Sequence, residues 1–353
     1  MKAVGLVHSL EHVCCRYRLR AFAPKLQSRD WHVETRPVSS GLLHRLGSLY
    51  QCHDADAVVL QRKLLDAVQL RLLRYHARRL LFDFDDAVLL RDSYATKSEP
   101  CRRRLARFRR TIQAADAVIA GNSYLAEQAD QFTDPARVFV VPTCVEPDKY
   151  HPLPVKFARK SLELVWIGSS STLRALECAQ GLLNAIGREV PSVRLKVICN
   201  RFPVFRNMPV VPVWWSEATE AHELAVADVG ISWLPDDPWT RGKCALKVLQ
   251  YMAAGLPVVA SRVGVHPEMI EHGRSGFLVE SEAEWVEAIQ TLARNAELRQ
   301  EMGRRGREIV EEWYSVSRWS PMVEQILAGE AAPVSAPVVP VRCAVAIGQA
   351  PAG

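Results

Sequence analysis

No apolar run in this 353-residue chain reaches the ~18–20 residues that a helix needs to span a bilayer, which excludes a helical membrane anchor within it. The opening "MKAVGLVHSLEHVCC" has one lysine and a short apolar stretch that stops at a histidine. It lacks the longer apolar region and small-residue cleavage site of a secretory signal, and it reads as a first strand. The nine cysteines are odd in number and scattered, with no C-x-x-C pair among them. That spacing indicates neither a zinc site nor a disulfide framework, and the expectation is a metal-free protein in a reducing, cytoplasmic setting. There is no short-period repeat. Neither charge sign dominates: the formal net charge is +6.

The basic charge that exists is unevenly spread. "CRRRLARFRR" at residues 101–110 holds six arginines in ten residues, namely Arg102, Arg103, Arg104, Arg107, Arg109 and Arg110. One reading is a solvated helix face. The others are contact with an anionic membrane surface, which would make the protein peripheral at the inner membrane face, or with an acidic acceptor. Nucleic acid is not the expected partner, because Phe108 alone is available to stack on bases and no nucleic-acid-binding motif accompanies the stretch.

With 48% hydrophobic and 24% charged residues, the composition is that of a globular protein with a large core, and the length favours two domains. Apolar runs of four to seven residues alternate with stretches of helical spacing: "KAVGLV", "DAVVLQ", "RLLFDFD", "DAVIAGN" and "VFVVPT" in the first half, "LELVWIG", "VRLKVIC", "DVGISWLP", "LPVVAS" and "GFLVE" in the second. Continuous β-branched runs predict strands buried on both faces, and their alternation with helices predicts parallel, doubly wound sheets. The segment "EPDKYHPLPVKFARKS" at 146–161, with three prolines and no periodicity, reads as the linker. The expected organisation is an N-terminal Rossmann-like domain over 1–150, a C-terminal one over 151–328 that ends in helices, and a disordered tail over 329–353, rich in Ala, Pro and Val.

Ligands of doubly wound sheets bind beyond the carboxyl ends of strands, so the residues that follow the strands carry the chemistry. After "DVGISWLP" comes "DDPWTRGKCALKVLQYMAAGLP", in which a helix is expected to begin near Cys244 or Ala245 and to stop at Gly255, with Pro257 unable to continue it. The free N–H groups at its start favour an anion. Gly242 and Ala245 let a ligand approach, and Arg241, Lys243 and Lys247 add positive charge, an arrangement suited to a diphosphate. Ordinary solvated lysines are the plainer alternative. "WIGSSST" at 166–172 places Gly168, Ser169 and Ser170 directly after a strand; the turn could hold a phosphate, or Ser171 or Thr172 could simply cap the helix. "FDFDDA" sets Asp83, Asp85 and Asp86 at another strand end. Three carboxylates so close need cationic or hydroxyl partners. Metal binding, hydrogen bonds to sugar hydroxyls and a capping role are all open to them. "HVCCRYRLR" offers Arg16, Arg18 and Arg20 as residues of a ligand-binding cleft.

The stretch "KVLQYMAAGLPVVASRVGVHPEMIEHGRSGFLV" resembles the C-terminal domain of retaining GT-B glycosyltransferases of family four, the glycosyl transferases group 1, on Gly255, Pro257, Val258, Val259, Gly264, Glu268, Gly273, Gly276 and Phe277. "WIGSSST", "FDFDDA", "AGNSYLAEQA" and "VVPTCVEPDKY" are similar to segments of a bacterial branch. The resemblance runs to about Trp319. It implies the α/β GT-B fold, two Rossmann-like domains with a cleft between them. The implied reaction is transfer of a sugar from a nucleotide diphosphate sugar to a hydroxyl of a glycan or lipid acceptor, in polysaccharide or glycolipid synthesis, with no separate cofactor and with positive groups in place of a divalent metal. By the same resemblance Lys247 acts on the diphosphate, Asp85 or Asp86 orients a sugar, and Gly168, Ser169, Ser170, Arg241, Lys243, Cys244, Ala245, Lys247 and Gln250 bind the donor. Two family glutamates fall on Gly242 and Gln250. Gln250 keeps a hydrogen-bonding amide where the family has a ribose-binding carboxylate. That departure leaves a second reading: a weakly active or inactive GT-B protein that binds nucleotide or glycan. A sugar-nucleotide epimerase is a third reading, which the family-four segments disfavour.

Overall fold

The computed structural model describes residues 1–38, 41–94, 101–153 and 161–332, and it divides into two compact units. The first takes Met1–Glu146, Asp236–Cys244 and the described residues from Tyr314 on; the second takes Pro147–Pro235 and Ala245–Trp313.

In the first unit six strands form a wholly parallel sheet: β1 (Lys2–Val7), β2 (His32–Pro37), β3 (Ala57–Gln61), β4 (Leu80–Phe84), β5 (Ala117–Ala120) and β6 (Val138–Val140), in the order β2-β1-β3-β4-β5-β6. Alternate residues of the central strands enter two different cores. Val4, Leu6, Val58, Leu60, Phe82, Val118 and Ala120 pack on one face; Ala3, Val7, Ala57, Val59, Leu81, Ala117 and Ile119 pack on the other. This is why the runs read as continuously apolar. The helix Val316–Ala328 closes the second of these faces with Val316, Trp319, Ile326 and Leu327. The last helix thus belongs by its contacts to the first unit, whereas chain order alone assigned it to the second.

The second unit has another parallel sheet: β7 (Leu162–Ile167), β8 (Val193–Cys199), β9 (Val210–Trp214), β10 (Val229–Ser232), β11 (Val258–Ser261) and β12 (Gly276–Val279), ordered β12-β11-β10-β7-β8-β9. Helices Glu282–Arg294 and Ala296–Trp313 follow β12. The helix Leu246–Ala253 ends as expected, with Gly255 in the left-handed region at φ +71°. Arg307 then donates from Nη1 to the carbonyls of Ala253 (2.6 Å) and Tyr150 (2.5 Å).

The segment expected as a linker is partly built into the second unit. Pro147–Lys149 forms a single 3-10 turn and Tyr150 is fully buried. Residues 154–160 of that segment lie outside the described residues, as does the expected tail beyond Ala332.

Candidate functional site: the carboxyl ends of the two sheets

In the second sheet the chain winds outward in both directions from the β7–β10 pair, which makes the carboxyl ends of these two strands the topological switch point, where ligands of such sheets bind. The hydroxyl of Tyr251 marks it. It accepts from Ile167 N (3.1 Å) at the end of β7 and donates to Ile231 O (3.3 Å) in β10. Burial pushes its phenol well above the ordinary range. Beyond β7, Gly168 passes so close to the indole of Trp166 that a Cβ would lie 2.4 Å from the ring. Ser169 N donates to Thr172 Oγ1 (3.1 Å), and Ser170 N donates to Asn200 Oδ1 (3.0 Å). The capping role open to this loop is therefore present.

Beyond β10 the chain enters the helix Leu246–Ala253 through Ala245, which adopts φ +47°, ψ +38°, and no side chain caps the amino end. A left-handed alanine costs about 1–2 kcal/mol and is held only where its surroundings over-determine it. Lys247 Nζ lies 5.0 Å from the centre of the Trp166 ring. The same indole thus borders both Gly168 and Lys247, and it draws the two halves of the expected donor set together. Gln250 departs from expectation: it is buried, and its Nε2 donates to Tyr150 Oη (3.2 Å). Leu246, at the start of this helix, is only partly buried. His266 is also buried beneath this point. Its Nδ1 donates to Ser261 O (2.8 Å) and its Nε2 lies 3.3 Å from Ser232 Oγ. Burial, helped by the charge of Lys247, pushes its imidazole down to about 4.

The first sheet has its switch point between β1 and β3. The carboxylates that follow β4 are matched by cations. Asp83 is buried and accepts from Arg18 Nε (2.9 Å) and Nη2 (2.6 Å), and Arg18 Nη1 donates to Val141 O (3.0 Å). Asp85 and Asp86 face Arg62 at 3.3 and 2.8 Å, and Lys243 Nζ reaches Asp86 Oδ2 at 3.0 Å. Burial pushes the Asp85 carboxyl up, but Arg62 and Arg18 outweigh it and hold the group below the usual carboxylate range. Of the partners open to these acids, the structure supplies the cationic ones. Among the described residues no group of three or more His, Cys, Asp or Glu is arranged to hold a metal ion.

The expected cleft residues Arg16, Arg18 and Arg20 and the expected donor residues Arg241, Lys243 and Cys244 fall in this first unit. Arg18 is sunk in its pair with Asp83, while Arg20 is exposed. Arg16 is partly buried, with Nη2 on Tyr17 Oη (3.0 Å). Lys243 sits 3.4 Å from the centre of the Trp239 ring as well as on Asp86. Arg241 is held by Asp236 at 2.7 Å. Cys244 is buried with Sγ 3.7 Å from Asn122 Nδ2, which also donates to Lys243 O (3.2 Å). A Cβ on Gly242 would lie 2.8 Å from that of Ala87, so packing accounts for glycine where the family pattern has glutamate. Trp166, Tyr251 and Asn122 were not singled out from the sequence, since each reads there as ordinary core. Only the strand order reveals what they join.

The arginine-rich stretch forms the helix Arg102–Ala114, with Phe108, Thr111 and Ile112 buried. Arg102, Arg103, Arg109 and Arg110 are exposed; Arg104 donates to Leu90 O (2.6 Å) and Arg107 to Leu64 O (3.4 Å).

Residues 218–295 match the model of the family described as glycosyl transferases group 1. The alpha-maltose-1-phosphate synthase of Mycolicibacterium smegmatis is 28% identical over 255 residues, 62% of this chain and 64% of that protein. The chain spans less of the other curated relatives it matches. Sucrose-phosphate synthase from Thermosynechococcus elongatus superposes with a TM-score of 0.74 at 15% identity, covering 93% of this chain and 98% of that one. An Anabaena protein, HepE, solved with UDP and glucose, gives 0.69 at 14% identity, covering 93% and 100%. At such identities these likenesses establish the fold. With two parallel six-stranded sheets in place, this chain has the GT-B fold, and the segment crossing β10, β11 and β12 is similar to the glycosyl transferases group 1.

Proposed function

We propose that the protein is a glycosyltransferase that moves a sugar from a nucleotide diphosphate sugar to an acceptor hydroxyl, with retention, in polysaccharide or glycolipid synthesis in the cytoplasm. The observation that carries this reading is the convergence of Gly168 and Lys247 on one indole at the switch point of the second sheet. There an uncapped helix start presents N–H groups and a cation together. Such an arrangement stabilises the charge that develops on a departing diphosphate, and one well-placed donor contributes about 3 kcal/mol to such a step. The UDP-containing neighbour and the sugar-phosphate synthase relative support the same reading. Asp85 and Asp86 hold Arg62 and Lys243 in place at the carboxyl end of the first sheet. Acceptors are glycans or lipids.

Thermal-shift and turnover measurements across a panel of uridine, guanosine and adenosine diphosphate sugars test the proposal. We expect stabilisation by at least one of them, and Lys247→Ala should weaken diphosphate binding far more than nucleoside binding. Equal losses would remove the phosphate role. The burial of Gln250 against Tyr150 favours a second reading, a binding module with little turnover. Binding without product across the whole panel would select it.

The exposed Arg102, Arg103, Arg109 and Arg110 form a positive face that suits an anionic lipid surface, at roughly 1 kcal/mol for each arginine that reaches it. Flotation with vesicles of mixed phosphatidylglycerol and phosphatidylcholine should retain the protein, and pure phosphatidylcholine should not. Indifference to lipid charge would leave a solvated helix face.

A further inference from the structure

The first sheet also has a switch point, and a basic pair spans it. His8 follows β1 and Lys63 follows β3, neighbours in the sheet at the place where its winding reverses. Lys63 Nζ donates to His8 Nδ1 across 2.7 Å. The ring of His12 stands edge-on to that of His8 at 5.6 Å. Arg62, next to Lys63, is held at φ +56°, a conformation a non-glycine residue adopts at a cost and one that collects at ligand sites. Among the described residues Lys63 has no carboxylate partner; its close polar neighbour is an imidazole.

The neighbourhood carries an excess of positive charge. Lys63 lies within the field of Arg45, and His8 faces Lys63 and Arg62. His12 faces Arg62, His8, Lys63 and the single acid Asp85. Arg62 is already matched by Asp85 and Asp86, so the uncompensated cation is Lys63. Its crowding by like charge lowers the readiness of His8 to take a proton. Lys63 and His8, joined through Nδ1 across 2.7 Å, form a receptor that an anion completes: it neutralises Lys63 and relieves the like charge that lowers the affinity of His8 for a proton.

We propose that His8 and Lys63 bind an anionic group, a phosphate or a carboxylate, carried by the acceptor, so that the acceptor is an anionic hydroxyl compound and not a neutral sugar. This rests on the glycosyltransferase reading for the word acceptor; the anion site itself does not depend on it. The phosphate belongs either to a soluble ester or to a lipid headgroup.

The test is histidine side-chain NMR of the full chain during titration with inorganic phosphate at constant ionic strength, with the His8 signal assigned by its loss in His8→Asn. We expect a saturable shift of His8 that grows as pH falls through the ordinary histidine range. Its midpoint should move by about tenfold or more in Lys63→Met, the loss of one charge-assisted contact. A response that follows ionic strength alone, or that Lys63→Met leaves intact, overturns the site. Competition then separates the sources: displacement of phosphate at lower concentration by glycerol 3-phosphate indicates a soluble ester, and by dihexanoyl phosphatidate a lipid headgroup. Displacement by neither refutes the acceptor assignment. Thermal shift with uridine diphosphate on the same samples keeps the readings apart, because Lys63→Met leaves that stabilisation unchanged and Lys247→Ala removes it. Loss of uridine diphosphate stabilisation in Lys63→Met would also overturn the assignment.

Discussion

The two sheets share a topology class and differ in what they place at the reversal of strand order. At β7–β10 the chain puts small residues, backbone N–H groups, an indole and one lysine, all organised by the Tyr251 hydroxyl. At β1–β3 it puts imidazoles and a lysine beside a block of carboxylates matched by arginines. The arrangement at β7–β10 is poor in charge and shaped by close approach. The one at β1–β3 is rich in charge, and most of that charge is paired internally. A fold of this kind therefore fixes where a ligand sits, and the residues after each strand decide which chemistry it meets.

The comparison can be broken most forcefully at Arg18. If charge pairing holds the first sheet's carboxyl end together, Arg18→Met leaves Asp83 buried without its cation and costs about 3–5 kcal/mol in urea unfolding, and adding Asp83→Asn recovers much of it. A loss under 1 kcal/mol would show that the pair contributes little. The second sheet should respond to acid through His266. Its folded imidazole is depressed to about 4, below the ordinary 6.5, so the unfolded chain takes up the proton first as pH falls. Stability from this residue is complete above pH 6.5 and is lost between about 6.5 and 4, by up to about 3 kcal/mol. The variant His266→Asn should flatten that part of the pH profile, and an unchanged slope would contradict the burial argument. Removing the Tyr251 hydroxyl in Tyr251→Phe strands Ile167 N and should cost about 1–2 kcal/mol, read by thermal unfolding. The smallest effect is a gain. Ala245→Gly relieves the left-handed backbone and should add about 0.5–1 kcal/mol, unless contacts of the methyl group outweigh the strain.

Much of this was legible in the chain because buried parallel strands leave a plain signature. The ten apolar runs all became strands. The two strands that were not anticipated, β2 and β9, are both sheet edges, with half-buried Glu34 and Arg36 and exposed Pro212 that break any apolar run. The stop at Gly255 could be read because it depends on local backbone sign alone. The fate of Gln250 could not, because Tyr150, the residue that buries it, is 100 positions away in a segment that reads as linker. Likewise Asp85 and Asp86 announce a need for cations, but Lys243, 157 positions on from Asp86, becomes a partner only through folding. His8 and Lys63 carry no motif; the strand order alone makes them neighbours.

Between Met1 and Ala332 the polypeptide passes from one compact unit to the other four times, at 146/147, 235/236, 244/245 and 313/314. A single scission near residue 150 therefore cannot liberate an autonomous N-terminal half. The fragment would lack the closing helix with Trp319 and Ile326, and the short excursion that carries Lys243. Its apolar underside would lie open to water, and such a product should aggregate even though every one of its strands is intact.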